Sequence, residues 1–348
     1  MKKMRAATLS LLLLSGLLPS CSSNEPNPFA DINRTNPTKA TSAVVFTSNL
    51  AAQVGAPREV FAVDADGANL TQLTFCSTEE RPCDNAEVSP APDRQRVVVR
   101  RREDANSNGK LDDNETTALF FVDLSRGAQA AIVPSQGNVA SMDWADTGDV
   151  VVYAAVGSGT LEDLYRTDPN GQNNRNLTGS AAVRERRLRV DPTATAAVFE
   201  RLETGGKAGV YLFLDSLRQS KLSNGGPGTD TLAGTPYVVG SDTDPDFSPD
   251  GRSVVFRRLV GTGVRGLGSW SLVVVPSDAS LTERVLTTGE AFRGAPDWGP
   301  NGIVYEEVDA GGVHALVVIQ PDGSGRRVIL TRPGFDLASP RWLAAPGN

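Results

Sequence analysis

Histidine is almost missing from this chain: one residue, His314, in 348. The commonest general base and the commonest zinc ligand are therefore unavailable in pairs. No Gly-x-Ser-x-Gly elbow, phosphate-cradling glycine loop or paired zinc histidines occur either. His314 itself falls in the alternating stretch Gly312 to Leu316, where it reads as a satisfied or surface strand residue. Aromatics make up only 6% of the residues, few to stack against sugar rings. Helical periodicity is also lacking, since apolar residues nowhere recur at i, i+3, i+4 and i+7 over a sustained stretch. Long hydrophobic runs are confined to Ala6 to Leu18, too short for the roughly 20 residues that a membrane-spanning helix needs.

That short run has a purpose of its own. Lys2, Lys3 and Arg5 precede it, and Leu18-Pro19-Ser20-Cys21 closes it. This is the layout of a removable export signal over residues 1–20. The closing four residues resemble a bacterial lipobox, which implies that Cys21 is lipidated and becomes the mature N-terminus. An ordinary secretory signal with an incidental cysteine is the alternative. Ser22 after the cysteine, by resemblance to sorting rules of Gram-negative bacteria, points to the outer membrane facing the periplasm, with the lipid alone as the membrane contact. Residues 21–43 are polar and rich in Pro and Asn, as a flexible tether would be. Residues 44–348 form the folded part.

Positive charge is in deficit. Loss of the signal leaves 31 basic against 41 acidic residues, a net charge near −10, which argues against nucleic acid as a partner. The arginine runs Arg100 to Arg102 and Arg184 to Arg189 read as solvated strand and loop positions. Three cysteines occur in all. With Cys21 assigned to lipid, Cys76 and Cys83 remain, seven positions apart in a polar stretch. In an oxidising compartment they read as a disulfide stapling a surface loop, with two free thiols as the alternative.

Repeats are present in abundance. An apolar or aromatic residue followed by a turn recurs at Val88, Trp144, Val190, Phe247, Trp298 and Trp342, with offsets of 56, 46, 57, 51 and 44 residues. Its clearest forms are Phe247-Ser248-Pro249-Asp250-Gly251 and Trp298-Gly299-Pro300-Asn301-Gly302. All but the last lead into a β-branched run. A second element, a hairpin, recurs six times, for example Val60 to Gly67, Leu164 to Gly171 and Val317 to Gly323. Asp-Gly and Asn-Gly supply the positive φ that tight hairpins need. Six hairpins with six anchors predict six four-stranded sheets, an all-β, six-bladed β-propeller. The first unit opens at Ala43 without an anchor strand, and residues 339–342 supply a spare one. The C-terminal strand is therefore predicted to complete the first blade and close the ring.

The sequence Phe-Ser-Pro-Asp-Gly, an apolar strand, and a hairpin ending Asp-Gly together resemble the TolB-type propeller repeat over residues 44–343. Blade four, with Val190-Asp191-Pro192, is degenerate. The resemblance implies a monomeric scaffold binding an envelope or cell-wall-associated protein, not an enzyme. A polysaccharide lyase or hydrolase, or a peptidase-like propeller, is the alternative, with its active site in the channel. The carboxylates Asp246 and Asp297 stand at equivalent blade positions and read as turn and packing residues.

One motif carries metal chemistry. Asp104, Asn106, Asn108, Gly109, Asp112 and Glu115 match the first, third, fifth, sixth, ninth and twelfth positions of an EF-hand loop. Lys110 between them would offer its carbonyl. Alternating acid and amide oxygens on a tight coil suit Ca²⁺, so one structural calcium site is expected. The flanks are strands rather than helices, which excludes an EF-hand's opening groove. A solvated Asn/Asp/Gly turn is the alternative.

Overall fold

The computed structural model describes residues 42–50, 57–76, 82–112, 115–124, 128–131, 138–145, 150–157, 160–180, 182–203, 206–215, 218–263 and 265–343. Among them there is no helix, and the strands form six antiparallel sheets. Blade one contains Ala338–Trp342, Ser42–Ser48, Glu59–Asp64 and Thr71–Gln72, in that spatial order. Blades two to five each take four consecutive strands. Their innermost strands are Cys83–Pro90, Val139–Trp144, Arg184–Val190 and Asp242–Phe247. In blade six the innermost strand is broken into Phe292–Arg293 and Asp297–Gly299, both paired with Gly302–Val308. The predicted six-bladed ring is thus the observed fold. The first strand starts at Ser42, two residues before the expected boundary. Cys21 and the tether up to residue 41 lie outside the described residues.

Closure follows the predicted route. Val44 pairs with Trp342, Val45 with Arg341 and Thr47 with Ala338, and the Leu343 amide donates to the Ala43 carbonyl at 2.8 Å. The last strand is also bound to blade six. Trp342 donates its amide to Asp297 Oδ2 at 2.7 Å and its indole N–H to the Gly302 carbonyl at 2.9 Å. Gly299 lies so close to the Trp342 indole that a methyl group there would sit 2.4 Å from the ring. The first and last described strands therefore meet in one sheet, and each gives the other a paired edge at the seam.

Sheet faces explain the burial. Neighbouring blades bury β-branched residues against one another, as Val45, Val60, Val88, Val97 and Val99 do between blades one and two. Val198, Val254, Phe256 and Val273 do the same between four and five. Burying a side chain of this size contributes roughly 1.5–3 kcal/mol, and only stacking on a neighbour supplies the second face. The turn after each inner strand is locally specified. In blade five Ser248 Oγ accepts from the Ser253 amide at 2.9 Å, and Gly251 adopts φ +69°. Blade four replaces that glycine with Ala194 at φ 55°, and the Asp191 carboxylate compensates by accepting from the amides of Thr195 and Ala196 at 2.7 and 2.6 Å.

Two arginine assignments are overturned. The runs Arg100 to Arg102 and Arg184 to Arg189, read from sequence as solvated, include Arg101 and Arg189 at only 2% and 3% exposure. Arg189 lies on the inner strand of blade four and Arg101 on the second strand of blade two, and a long cationic side chain is buried in either place only when partners meet it. Arg101 Nε donates to the Asn85 amide oxygen at 2.8 Å and its Nη1 lies 3.4 Å from Glu103 Oε1, while Arg189 Nη2 donates to Glu87 Oε1 at 3.2 Å.

Candidate binding site at the channel mouth

One residue before each anchor stands a charged side chain: Arg341, Glu87, Asp143, Arg189, Asp246 and Asp297 in blades one to six. Each inner strand is irregular just upstream. Register shifts fall at Asn85/Glu87, Val139/Ser141, Arg186/Arg189 and Thr243/Asp246. Arg187, Asp244 and Ser339, each two residues before its ring residue, take φ of 57°, 51° and 51°. Bulges of this kind re-aim side chains. The outcome is a ring of four carboxylates and two guanidiniums around the axis. Arg341 Nη1 donates to Asp297 Oδ1 at 2.8 Å, and its Nη2 lies 3.8 Å from Glu87 and 3.9 Å from Asp143. Arg189 reaches across to Glu87 and also donates to the carbonyls of Met142 and Leu188.

Compensation is uneven around this ring. Glu87 is met by Arg189 and by Arg100, the latter at 3.4 Å. A layer further in, Asp244 lies between Arg187 and Arg257, at 3.2 and 2.5 Å. Burial alone would raise the Asp244 carboxyl, but the two guanidiniums outweigh it and hold its pKa at about 2. Asp143 goes the other way. Burial dominates there, and despite Arg189, the Val190 amide and the Ser89 hydroxyl its pKa is pushed up to about 6. Asp246 is raised well above the usual carboxylate range, first by burial and then by the charge of Asp297. Its Oδ2 accepts from the Trp298 amide at 2.6 Å. Trp298 directly follows Asp297, which sets the two carboxylates side by side.

Above the ring opens a cavity of about 280 Å³. Its wall includes Trp144, Phe247, Trp298 and Trp342, and its floor includes Asp143, Asp246, Asp297 and Arg341. The anchor that builds each blade thus also furnishes the aromatic wall. Sequence reading assigned Asp246 and Asp297 to turns and packing. They instead share the floor of this cavity, and the overlooked signal was the charged residue one step before every anchor.

The predicted calcium loop sits between Arg96–Glu103 and Thr117–Asp123 of blade two. Asp104 accepts from the amides of Asn108 at 3.0 Å and Gly109 at 2.7 Å. Glu115 accepts from Ala105 at 2.9 Å and Asp112 at 3.1 Å. The side-chain amides of Asn106 and Asn108 donate to Asp112 Oδ2, and those bonds hold the Asp112 carboxyl below its ordinary range. Among the described residues Lys110 enters the network through its backbone, its amide donating to Asn108 Oδ1 at 2.9 Å. The coil thus draws the five predicted side chains Asp104, Asn106, Asn108, Asp112 and Glu115 into one hydrogen-bonded set. Asp113 and Asn114 lie outside the described residues. The donor set is all oxygen and fits a hard cation once the two amides turn their oxygens inward. Among the described residues the tight His/Cys/Asp/Glu cluster is a different one, Glu59 with Cys76 and Cys83. Those two cysteines are joined as a disulfide with Cα atoms 6.0 Å apart.

His314 is remote from the mouth cavity. Its Nδ1 meets Glu306 at 2.8 Å and its Nε2 lies 3.7 Å from Asp336, in the segment leading to the closing strand.

No family model matches this sequence, and no curated protein is similar to it. Solved structures are. TolB from Acinetobacter baumannii superposes with a TM-score of 0.65 at 17% identity, over 88% of this chain and 68% of that one. The fold is TolB-like. A putative TolB from Agrobacterium tumefaciens gives 0.56 at 13% identity, over 87% and 98% of the two chains. An oligogalacturonate lyase from Vibrio parahaemolyticus gives 0.50 at 14% identity, over 74% and 71%. At these identities the likeness speaks for the propeller itself and for no particular activity.

Proposed function

We propose that the protein is a lipid-anchored envelope scaffold, held by Cys21 to the outer membrane on its periplasmic side. In this reading it is a monomer that binds an envelope or cell-wall-associated protein at the channel mouth. The observation that carries this reading is the mouth cavity, walled by aromatics and floored by charge, at the axis of a fold shared with TolB structures. Such a site binds through shape and electrostatics and needs no catalytic group. The calcium loop belongs to the same proposal, as a structural clamp on the blade-two hairpin.

The rival reading is a glycan-cleaving or peptidase-like enzyme. The single histidine is bound to Glu306 near the seam, away from the channel mouth, and about 280 Å³ is at the low end for a ligand pocket, which weighs against a polymer substrate. Two carboxylates remain available for acid–base work. Turnover of a glycan panel, lost on changing Asp246 or Asp297, would establish that rival.

The scaffold is tested by photo-crosslinking in intact cells. A benzophenone amino acid replaces the exposed rim residue Pro300. One envelope protein should be captured from the rim, and much less from the exposed hairpin position Asp66 on the outside of blade one. Equal or absent capture at both positions would remove the mouth as the docking site.

A further inference from the structure

We propose that the channel mouth is built to receive a single cationic side chain, an arginine guanidinium or lysine ammonium carried on a peptide segment. The inference rests on the mouth being the docking site and says what chemistry the partner presents there.

Four observations converge on that occupant. The first is the place where charge is left over. Asp297 is satisfied by Arg341 on one oxygen and the Trp342 amide on the other. Asp246 accepts the Trp298 amide on Oδ2, while its Oδ1 has no donor among the described residues. Arg189, the nearest guanidinium in sequence order around the ring, is committed to Glu87 and two carbonyls. Among the described residues the Asp246 carboxyl therefore has no direct hydrogen-bonded cation. The second is the wall. Trp144, Phe247, Trp298 and Trp342 line the same space, and aromatic faces attract a cation most strongly where water is excluded.

Size is the third observation. About 280 Å³ accepts one long side chain and a little backbone, and is too small for a folded element. The fourth is a donor without an acceptor. Arg341 is 4% exposed, lines the cavity, and its Nη2 has no hydrogen-bond partner among the described residues. A buried, unpaired N–H is unfavourable, and a small turn of the guanidinium toward the cavity would let a peptide carbonyl next to the cationic residue satisfy it. A free amine or a metal ion brings no such carbonyl, so the peptide is the favoured source.

Proton linkage gives this site a signature. Around Asp246 stand Asp297 from blade six, Arg189 from blade four, Asp143 from blade three, and Arg341 and Glu87 beyond them. Burial and the adjacent Asp297 raise the Asp246 carboxyl well above its ordinary range while the site is empty. An entering cation favours the ionised carboxylate and lowers that raised pKa, so over the pH range between the two values binding releases a proton and strengthens as pH rises.

The experiment is calorimetry on the detergent-solubilised full chain with acetyl-Gly-Gly-Arg-Gly-Gly-amide, its lysine version and its citrulline version. Butylammonium chloride and calcium chloride serve as comparison ligands. The arginine and lysine peptides should bind with proton release, detected as a dependence of the heat on buffer ionisation. Citrulline, which keeps the shape and loses the charge, should bind at least about ten-fold more weakly, as should butylammonium. Asp246→Asn, which keeps the size of the side chain and removes its charge, should weaken the arginine peptide by a similar factor and abolish the proton release. Citrulline binding as tightly as arginine, or Asp246→Asn leaving affinity unchanged, would overturn the inference. Butylammonium equal to the peptides would reassign the site to small amines, and a response to calcium alone would reassign it to a metal. If rim crosslinking captures a partner while no cationic peptide binds, the scaffold stands and this inference falls; if both fail, both fall.

Discussion

At the scale of single residues, the ring shows how one position can be structural in origin and functional in consequence. Asp143 has the most quantifiable effect. Its folded pKa of about 6 exceeds the unfolded value near 3.8, so the folded state holds the proton more tightly. A raised acid favours folding below its unfolded pKa, and that contribution is lost as pH climbs from 3.8 through 6. The shift corresponds to about 3 kcal/mol as an order of magnitude, since each unit is worth about 1.4. Asp143→Asn should flatten the stability curve between pH 4 and 6.5 and raise the urea midpoint above pH 6. Parallel curves for the two proteins across that range would show that the group is not raised. The backbone offers a simpler case. Ala194 holds a left-handed conformation that a glycine occupies in blade five, so Ala194→Gly should stabilise by about 0.5–1 kcal/mol and lift Tm by about one to three degrees. An unchanged or lower Tm would mean that the Asp191 bonds already remove the strain. Of these two positions, the degenerate turn was visible in the sequence, because the repeat lacked its Asp-Gly there. The ring was not. Charged residues at Glu87, Asp143, Arg189, Asp246, Asp297 and Arg341 differ in type and sign, and no spacing rule says that bulges will turn them toward one axis.

Elements repeat the lesson at a larger scale. Strands and hairpins were legible because β-branched runs and Asp-Gly turns are local signals, each read without knowing the rest of the chain. The long connection over residues 222–241 had no such signal. Its Tyr237 hydroxyl meets Glu200 at 3.0 Å and its ring packs on Trp270, contacts that depend on two blades being already in place. The blade-two hairpin lies between these cases, with a motif legible residue by residue and an occupant that sequence leaves open. Asp104 follows the strand whose Glu103 pairs with Cys83, and its amide donates to the Pro82 carbonyl at 3.2 Å. The disulfide therefore abuts the coil that would hold calcium. Calcium should bind with a Kd in the range of roughly 10⁻⁴–10⁻³ M and raise Tm at millimolar concentration. Glu115→Gln should weaken it about ten-fold or more, and reduction of Cys76–Cys83 should weaken it by a smaller factor. No heat on calcium titration into the intact chain would leave the loop as a plain hydrogen-bonded turn.

The whole molecule depends on a seam that two distant segments make together. Blade one borrows its innermost strand from the C-terminus, and that strand carries Arg341 and Trp342 into the mouth as well. Closure and site are consequently one feature. Gly299→Ala isolates it, because the added methyl would meet the Trp342 ring at 2.4 Å and force the strand or the indole to shift. Overpacking of this kind typically costs about 1–3 kcal/mol. The seam has a pH dependence too. His314 joins Glu306 and the Asp336 segment, and although burial opposes its charge, those two carboxylates raise its pKa. A raised histidine stabilises fully below the unfolded value of 6.5, and the contribution fades as pH rises through the folded pKa. Wild type should therefore lose stability from pH 6.5 upward relative to His314→Gln, with the curves converging at higher pH. Removing residues 338–348 tests the seam as a whole. The strand Ser42–Ser48, whose Val44 and Val45 are buried in the closed ring, would then be left as an open edge, and the chain should unfold in more than one step and aggregate. A truncated chain that melts in a single transition at the wild-type temperature would mean that five blades and a remnant hold without the strand, and that Arg341 and Trp342 serve only the mouth.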